Sequence, residues 1–257
     1  MRDLKLRRSP NCAALCLLFA VPFACAQYRG PDPAATQARA AADPSVYLPV
    51  EPAPNLGLLK VRLRDYADCA AGSACYARDL DAQTTRAVEL LEAAVAHGKP
   101  GERLALVLDI DETSLSNLAE MERGDFSFIA QECNAQAAPA RTPAIPGTLR
   151  LFNRAQALGV AVFFITGRND AQRAATVANL TSAGYRNWQA LYMQPDHPAA
   201  SNDPVQTVAR YKAAQRRKIV AAGYRIVLNV GDQFSDLDGD PHAEFSVKLP
   251  NPFYYLP

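Results

Sequence analysis

The feature that most narrows the possible folds is a short run without a polar side chain, Leu104-Ala-Leu-Val-Leu108, which stops abruptly at Asp109-Ile-Asp-Glu-Thr113. An apolar run with no alternation reads as a strand covered on both faces, the signature of a parallel sheet lying between layers of helices. Residues i and i+2 of a strand point to one side, so Asp109 and Asp111 project together from its carboxyl end. Open α/β sheets bind their ligands at that edge. At ~6 Å and an effective dielectric of ~20, two such charges repel by roughly 3 kcal/mol. A cation, a shared proton or a reaction that uses the charges relieves this cost. The plain alternative is an Asp-rich turn after a strand.

The rest of the chain repeats the strand–helix rhythm. Pro146-Gly147 opens a helix to Leu158, and Val160 to Ile165 is a strand. Asp170 to Ala183 is a helix closed by Gly184, Gln189 to Met193 a short strand, and Val205 to Ala222 a helix closed by Gly223. Arg225 to Val230 and Phe245 to Leu249 complete the set. This alternation predicts a parallel sheet flanked by helices. Before it, residues 46–100 read as a helical extension packed on the core. Its clearest part is Arg78 to His97, with Leu80, Thr84, Ala87, Val88, Leu91 and Val95 on one face. Residues 114–145 show weak periodicity and read as a small cap over the site, so the core spans residues 101–257.

The first 26 residues read as a leader. Arg2, Lys5, Arg7 and Arg8 precede the apolar stretch Ala13 to Ala24, and Ala24-Cys25-Ala26 is a small-residue exit, the order of an export signal. A lipidated Cys25 is the alternative, against which Pro22 and Phe23 stand. Residues 27–45 read as a tether. No later run is long and apolar enough for a membrane span. Basic and acidic residues, 27 against 26, are interspersed, so no face is built for a nucleic-acid polymer. Once the leader is gone, Cys69, Cys75 and Cys133 are left. In an oxidising compartment Cys69 and Cys75 can close a small loop, or all three are unrelated small residues. His97, His197 and His242 lie too far apart for a zinc site.

Three downstream segments can meet the Asp109 strand tip. Thr166-Gly-Arg168 follows the second strand and leads to an N-cap at Asn169-Asp170; a hydroxyl, a glycine and free N–H groups there suit an anion. Val208, Lys212, Arg216 and Ile219 share a helix stripe, so two cations lie along a core-facing row and need anionic partners. Of these, Lys212 is the better phosphate ligand, whereas Arg217 and Lys218 belong to the solvated face. Gly231-Asp232 ends another strand and Asp236 follows four residues on, with Asp238 and Asp240 left to solvate the loop. Asp109, Asp111, Asp232 and Asp236 form an oxygen-only set that suits Mg²⁺.

In order and spacing these segments resemble the motifs of the haloacid dehalogenase superfamily, and within it acid phosphatases of the bacterial class C and plant vegetative-storage-protein type. Leu-Asp-Ile-Asp-Glu-Thr-Ser-Leu-Ser-Asn117 is similar to the first motif, Ile-Thr-Gly-Arg168 to the second, Tyr211-Lys212 with Arg216 to the third, and Asn229-Val-Gly-Asp-Gln-Phe-Ser-Asp236 to the fourth. The resemblance runs from about Leu104 to the end, and the cap, residues 118–145, aligns with no motif. It implies an aspartyl-phosphate at Asp109, acid–base work by Asp111, and phosphate held by Thr166, Gly167 and Lys212. It further implies Mg²⁺ on the carboxylates of Asp109 and Asp232 and the main-chain oxygen of Asp111, with Asp236 behind them. The substrate would be a small phosphomonoester, 5′-nucleotides among the candidates, with Phe126, Phe128 and Tyr192 as stacking or packing residues. A non-catalytic storage or phosphate-binding protein of this fold, or a phosphotransferase, is the alternative.

Overall fold

The computed structural model describes Ala42 and residues 54–127, 142–195 and 204–256; within 204–207 only the backbone is described. The leader, most of the tether, His197, Phe128, Cys133 and the middle of the expected cap lie outside these residues. Residues Ala53–Pro257 form one compact unit, so the two N-terminal helices belong to the same body as the sheet.

Five strands, β1 (Arg103–Leu108), β2 (Ala161–Asn169), β3 (Ala190–Gln194), β4 (Tyr224–Gly231) and β5 (Phe245–Lys248), form a sheet of order β3-β2-β1-β4-β5. Every pairing is parallel, as the apolar β1 run requires. The helices are α1 (Leu56–Ala67), α2 (Tyr76–Ala96), α3 (Leu118–Arg123), α4 (Pro146–Ala157), α5 (Arg173–Ser182), α6 (Pro204–Ala221) and the single turn α7 (Phe234–Leu237). Among the described residues no helix is long and apolar enough to cross a membrane.

The two faces of β1 divide the core. Leu106 and Leu108 point into one layer with Leu80, Ala87 and Leu91 of α2 and Leu151 and Phe152 of α4; Ala105 and Val107 point into the other, with Ile219 of α6. Truncating fully buried Leu91 to alanine would cost about 2–5 kcal/mol. Helices α2 and α4 meet closely because Gly147 has no side chain: a Cβ there would lie 1.9 Å from the Thr84 hydroxyl. Cys69 and Cys75 are joined by a disulfide just ahead of α2, so the short loop is closed.

One strand differs from expectation. β2 does not stop at Ile165 but runs on through Thr166-Gly167-Arg168 to Asn169, which pairs with Gln194 beyond an irregularity in register. Asn169 then caps a 3₁₀ turn, Asp170–Gln172, with a reciprocal capping box, and α5 begins after it. The longer strand carries Arg168 out over the neighbouring tip of β1.

Candidate active site

Alternation along β1 decides where Asp109 points. It follows Ala105 and Val107 at spacing two, so it faces the layer that contains α6. Lys212 of α6 meets it there. The Lys212 ammonium donates to Asp109 Oδ1 and Asp236 Oδ1, each at 2.5 Å, and all three residues are buried. Asp109, Asp232 and Asp236 offer carboxylate oxygens lying within 4.8 Å of one another. β1, α6 and the β4 tip thus meet at these side chains.

Two of these carboxylates are also held by neighbouring donors. Asp232 accepts from Thr113 Oγ1 (3.0 Å), Gln233 Nε2 (2.7 Å) and Asn251 Nδ2 (2.7 Å). Asp236 Oδ2 accepts from the Gln233 amide at 2.9 Å. Gly231 makes room for it: a Cβ at 231 would fall 2.3 Å from Asp236 Cβ and 2.4 Å from Oδ2. Arg216 lies along the buried row with Lys212, but its partners are main-chain oxygens rather than an anion. It donates to the carbonyls of Asp236 (2.7 Å), Pro241 (2.9 Å), Gly239 (2.5 Å) and Asp238, and so clamps the loop after β4. Arg217, Lys218, Asp238 and Asp240 are exposed.

Asp111 stands apart from the three buried acids. Arg168 grips its carboxylate with Nε at 2.9 Å from Oδ2 and Nη2 at 2.6 Å from Oδ1, and Asn117 Nδ2 donates to Oδ1 at 2.9 Å. Between Asp111 and Thr113 the chain reverses at Glu112, whose φ is +52°. Ser114 fastens the reversal by donating to the Asp109 carbonyl at 2.6 Å. Thr166 is fully buried, and its hydroxyl accepts from the Arg168 amide at 3.1 Å; Gly167 is exposed beside it. Strand register places Phe164 and Val230 opposite Leu108, so Thr166 and Asp232 lie at tips adjacent to Asp109. Among the described contacts, neither Thr166 nor Gly167 bonds to the carboxylates. Phe126 stacks on Phe253 and Tyr192 on Phe163, so both are packed rather than open.

The charges are unbalanced. Asp109, Asp111, Glu112, Asp232 and Asp236 outnumber the cations that act on them, Lys212 and Arg168 in direct ion pairs and Lys248 at longer range. Burial pushes the Asp109 carboxyl well up, against the pull of Lys212, and Asp236, Asp232 and Asp111 add to the rise. Burial, with Asp236 beside it, raises Asp232 to about 6. Burial raises Glu112 to about 8, with Asp111 and Asp232 contributing. Asp111 goes the other way: burial would lift it, but the Arg168 guanidinium holds it below the usual carboxylate range. A surplus of close carboxylate oxygens, with no nitrogen or sulfur among them, fits a hard divalent cation.

A parallel α/β sheet with acids gathered at neighbouring strand tips, one of them on a buried lysine, defines a hydrolase-like scaffold of the Rossmann kind. The chain belongs to the HAD superfamily, subfamily IIIB (acid phosphatase), whose family model matches residues 45–257. Acid phosphatase 1 of Solanum lycopersicum is 38% identical over 153 residues, covering 58% of each chain. The stem 28 kDa glycoprotein of Glycine max is 36% identical over 155 residues, covering 58% of this chain and 59% of that one. The chain therefore spans less than two thirds of these curated relatives. The class C acid phosphatase from Bacillus anthracis shares the fold, with a TM-score of 0.57 and 24% identity over 78% of this chain and 87% of its own.

Arg168, Asn117, Asn251, Gln233 and Tyr254 are the residues at the site that the sequence reading passed over. Arg168 was within reach, since it belongs to the quoted Thr-Gly-Arg segment. Asn117 and Gln233 likewise lie inside the quoted first and fourth motifs, whereas Asn251 and Tyr254 lie beyond β5 with no periodicity to mark them.

Proposed function

We propose that the chain is an exported, Mg²⁺-dependent acid phosphatase that hydrolyses small phosphomonoesters, 5′-nucleotides among them, through an aspartyl-phosphate. The observation that supports this best is Lys212 bridging Asp109 and Asp236 at 2.5 Å, with Asp232 in the same hollow and Asp111 two residues along the chain. Asp109 attacks phosphorus, the ester P–O bond breaks, and Asp111 delivers its proton to the leaving oxygen. Water then attacks the phosphoryl group, gives a proton to Asp111, and releases Asp109 and phosphate. Lys212, Thr166 and the amide at Gly167 offset the charge on the phosphoryl oxygens as the transition state forms. Mg²⁺, held by Asp109, Asp232 and the main chain of Asp111 with Asp236 behind, would let an anionic nucleophile approach an anionic ester.

Arg168 explains a preference for acid. Because it holds Asp111 ionised, the protonated form needed for the first step is reached in acidic solution. Export is supported by the Cys69–Cys75 disulfide, a bond that persists in oxidising compartments. The test is hydrolysis of a chromogenic phosphomonoester across pH with Mg²⁺ or a chelator, using wild type and Asp109→Asn. Wild-type turnover in the variant refutes the nucleophile, and full activity in excess chelator refutes the metal.

A further inference from the structure

Residues 250–256 leave β5 and cross back over the Asp232 side of the hollow. We infer that this segment is a working part of the site, with Asn251 and Tyr254 as positioning residues that orient Asp232 directly, and Tyr254 also the Asp111 turn through Glu112, for a bound divalent cation. The inference rests on the metal reading above and extends it to residues outside the four motifs.

The geometry is specific. Asn251 Oδ1 accepts from the Phe253 amide at 3.0 Å, which fixes the side-chain amide so that its NH₂ faces Asp232. Nδ2 then donates to Asp232 Oδ2 at 2.7 Å. Tyr254 donates its phenolic proton to Glu112 Oε2 at 3.0 Å, with Asp232 Oδ2 at 3.5 Å. Glu112 in turn accepts from Asn117, whose Nδ2 also reaches Asp111 Oδ1 at 2.9 Å. A continuous polar path therefore joins the segment to the acids on both sides of the reaction centre.

Packing holds the segment in place. The Phe253 ring meets Tyr76 of α2 edge-on at 4.9 Å and stacks on Phe126 at 5.6 Å. The Leu256 amide donates to Gln233 Oε1 at 3.1 Å, and Gln233 is itself a donor to Asp232. A carboxylate near several like charges turns toward whatever donors it finds. Here three side-chain amide and hydroxyl donors choose its rotamer before any cation arrives.

The test uses calorimetric titration of Mg²⁺ into the full-length protein without substrate, alongside steady-state kinetics. Tyr254→Phe removes one hydroxyl and Asn251→Ala one amide; Tyr255→Ala, an exposed neighbour, is the control. Partners of metal-binding side chains contribute on the order of 10- to 100-fold in metal affinity. We expect both variants to raise the Mg²⁺ dissociation constant within that range, the control to match wild type, and kcat to recover at saturating Mg²⁺. Unchanged Mg²⁺ affinity in Tyr254→Phe and Asn251→Ala, with wild type binding Mg²⁺ normally, overturns this inference and leaves the phosphatase reading intact. Failure of the wild type to bind Mg²⁺ overturns both. A variant with lower melting temperature but wild-type Mg²⁺ affinity counts against positioning and for a purely structural role.

Discussion

Two charged groups, one built on Lys212 and one on Arg168, sit at the strand tips and differ in their access to water. Lys212 and its carboxylates Asp109 and Asp236 keep 3–7% of their side chains exposed, whereas Arg168 and Asp111 keep 15% and 32%. In the buried cluster the charges are shielded from water and held by one another, so removing one partner leaves the others uncompensated. A pair at the rim exchanges protons with solvent, and its arginine sets the pH at which it does so. The division matches the two tasks of the proposed reaction: attack on phosphorus inside, proton traffic at the edge.

The comparison can be broken first at its inner half. Asp109→Asn should keep the fold and lower kcat by at least about 10⁴ on a chromogenic phosphomonoester. Lys212→Met should lower kcat by about 10²–10³ and, by leaving buried carboxylates unpaired, reduce unfolding free energy by about 3–5 kcal/mol in urea titrations. If the outer pair differs as argued, Arg168→Ala should cost less stability than Lys212→Met, about 1–3 kcal/mol. It should also raise the Asp111 pKa, moving the acid-side change in the pH–rate profile to higher pH. An unmoved profile would detach Arg168 from proton transfer.

A prediction about stability alone concerns Glu112. Its folded pKa, raised to about 8, means that the folded state binds more protons than the unfolded chain between the ordinary glutamate value and about 8. Stability should therefore be present at acid pH and fall as pH rises through that window. Melting curves without metal should show a lower Tm at pH 8 than at pH 5, and Glu112→Gln should flatten that slope.

Legibility in the sequence followed the same division. Asp109 and Asp111 were visible because an uninterrupted apolar run admits few strand endings, and Lys212 because a cation in a core-facing helical row calls for a partner. Arg216 obeyed the same periodicity yet found carbonyls, since row position reports burial and not the identity of the partner. The extension of β2 through Arg168 was hidden because Gly167 reads as a turn, and only pairing with Gln194 keeps the strand going. Asn251 and Tyr254 bond to residues 19 and 142 positions away, and no local pattern encodes such a meeting.

Gly231 has a consequence for how variants of this protein should be read. Judged by chemical type, Gly231→Ala is mild: it adds one methyl group and alters no ionisable residue. Judged by space, the methyl group occupies the volume of Asp236's own side chain, 2.3 Å from its Cβ. The strand end and the acid five residues later are thus a single steric unit, and a hydrocarbon substituent there would silence the centre as surely as deleting a carboxylate.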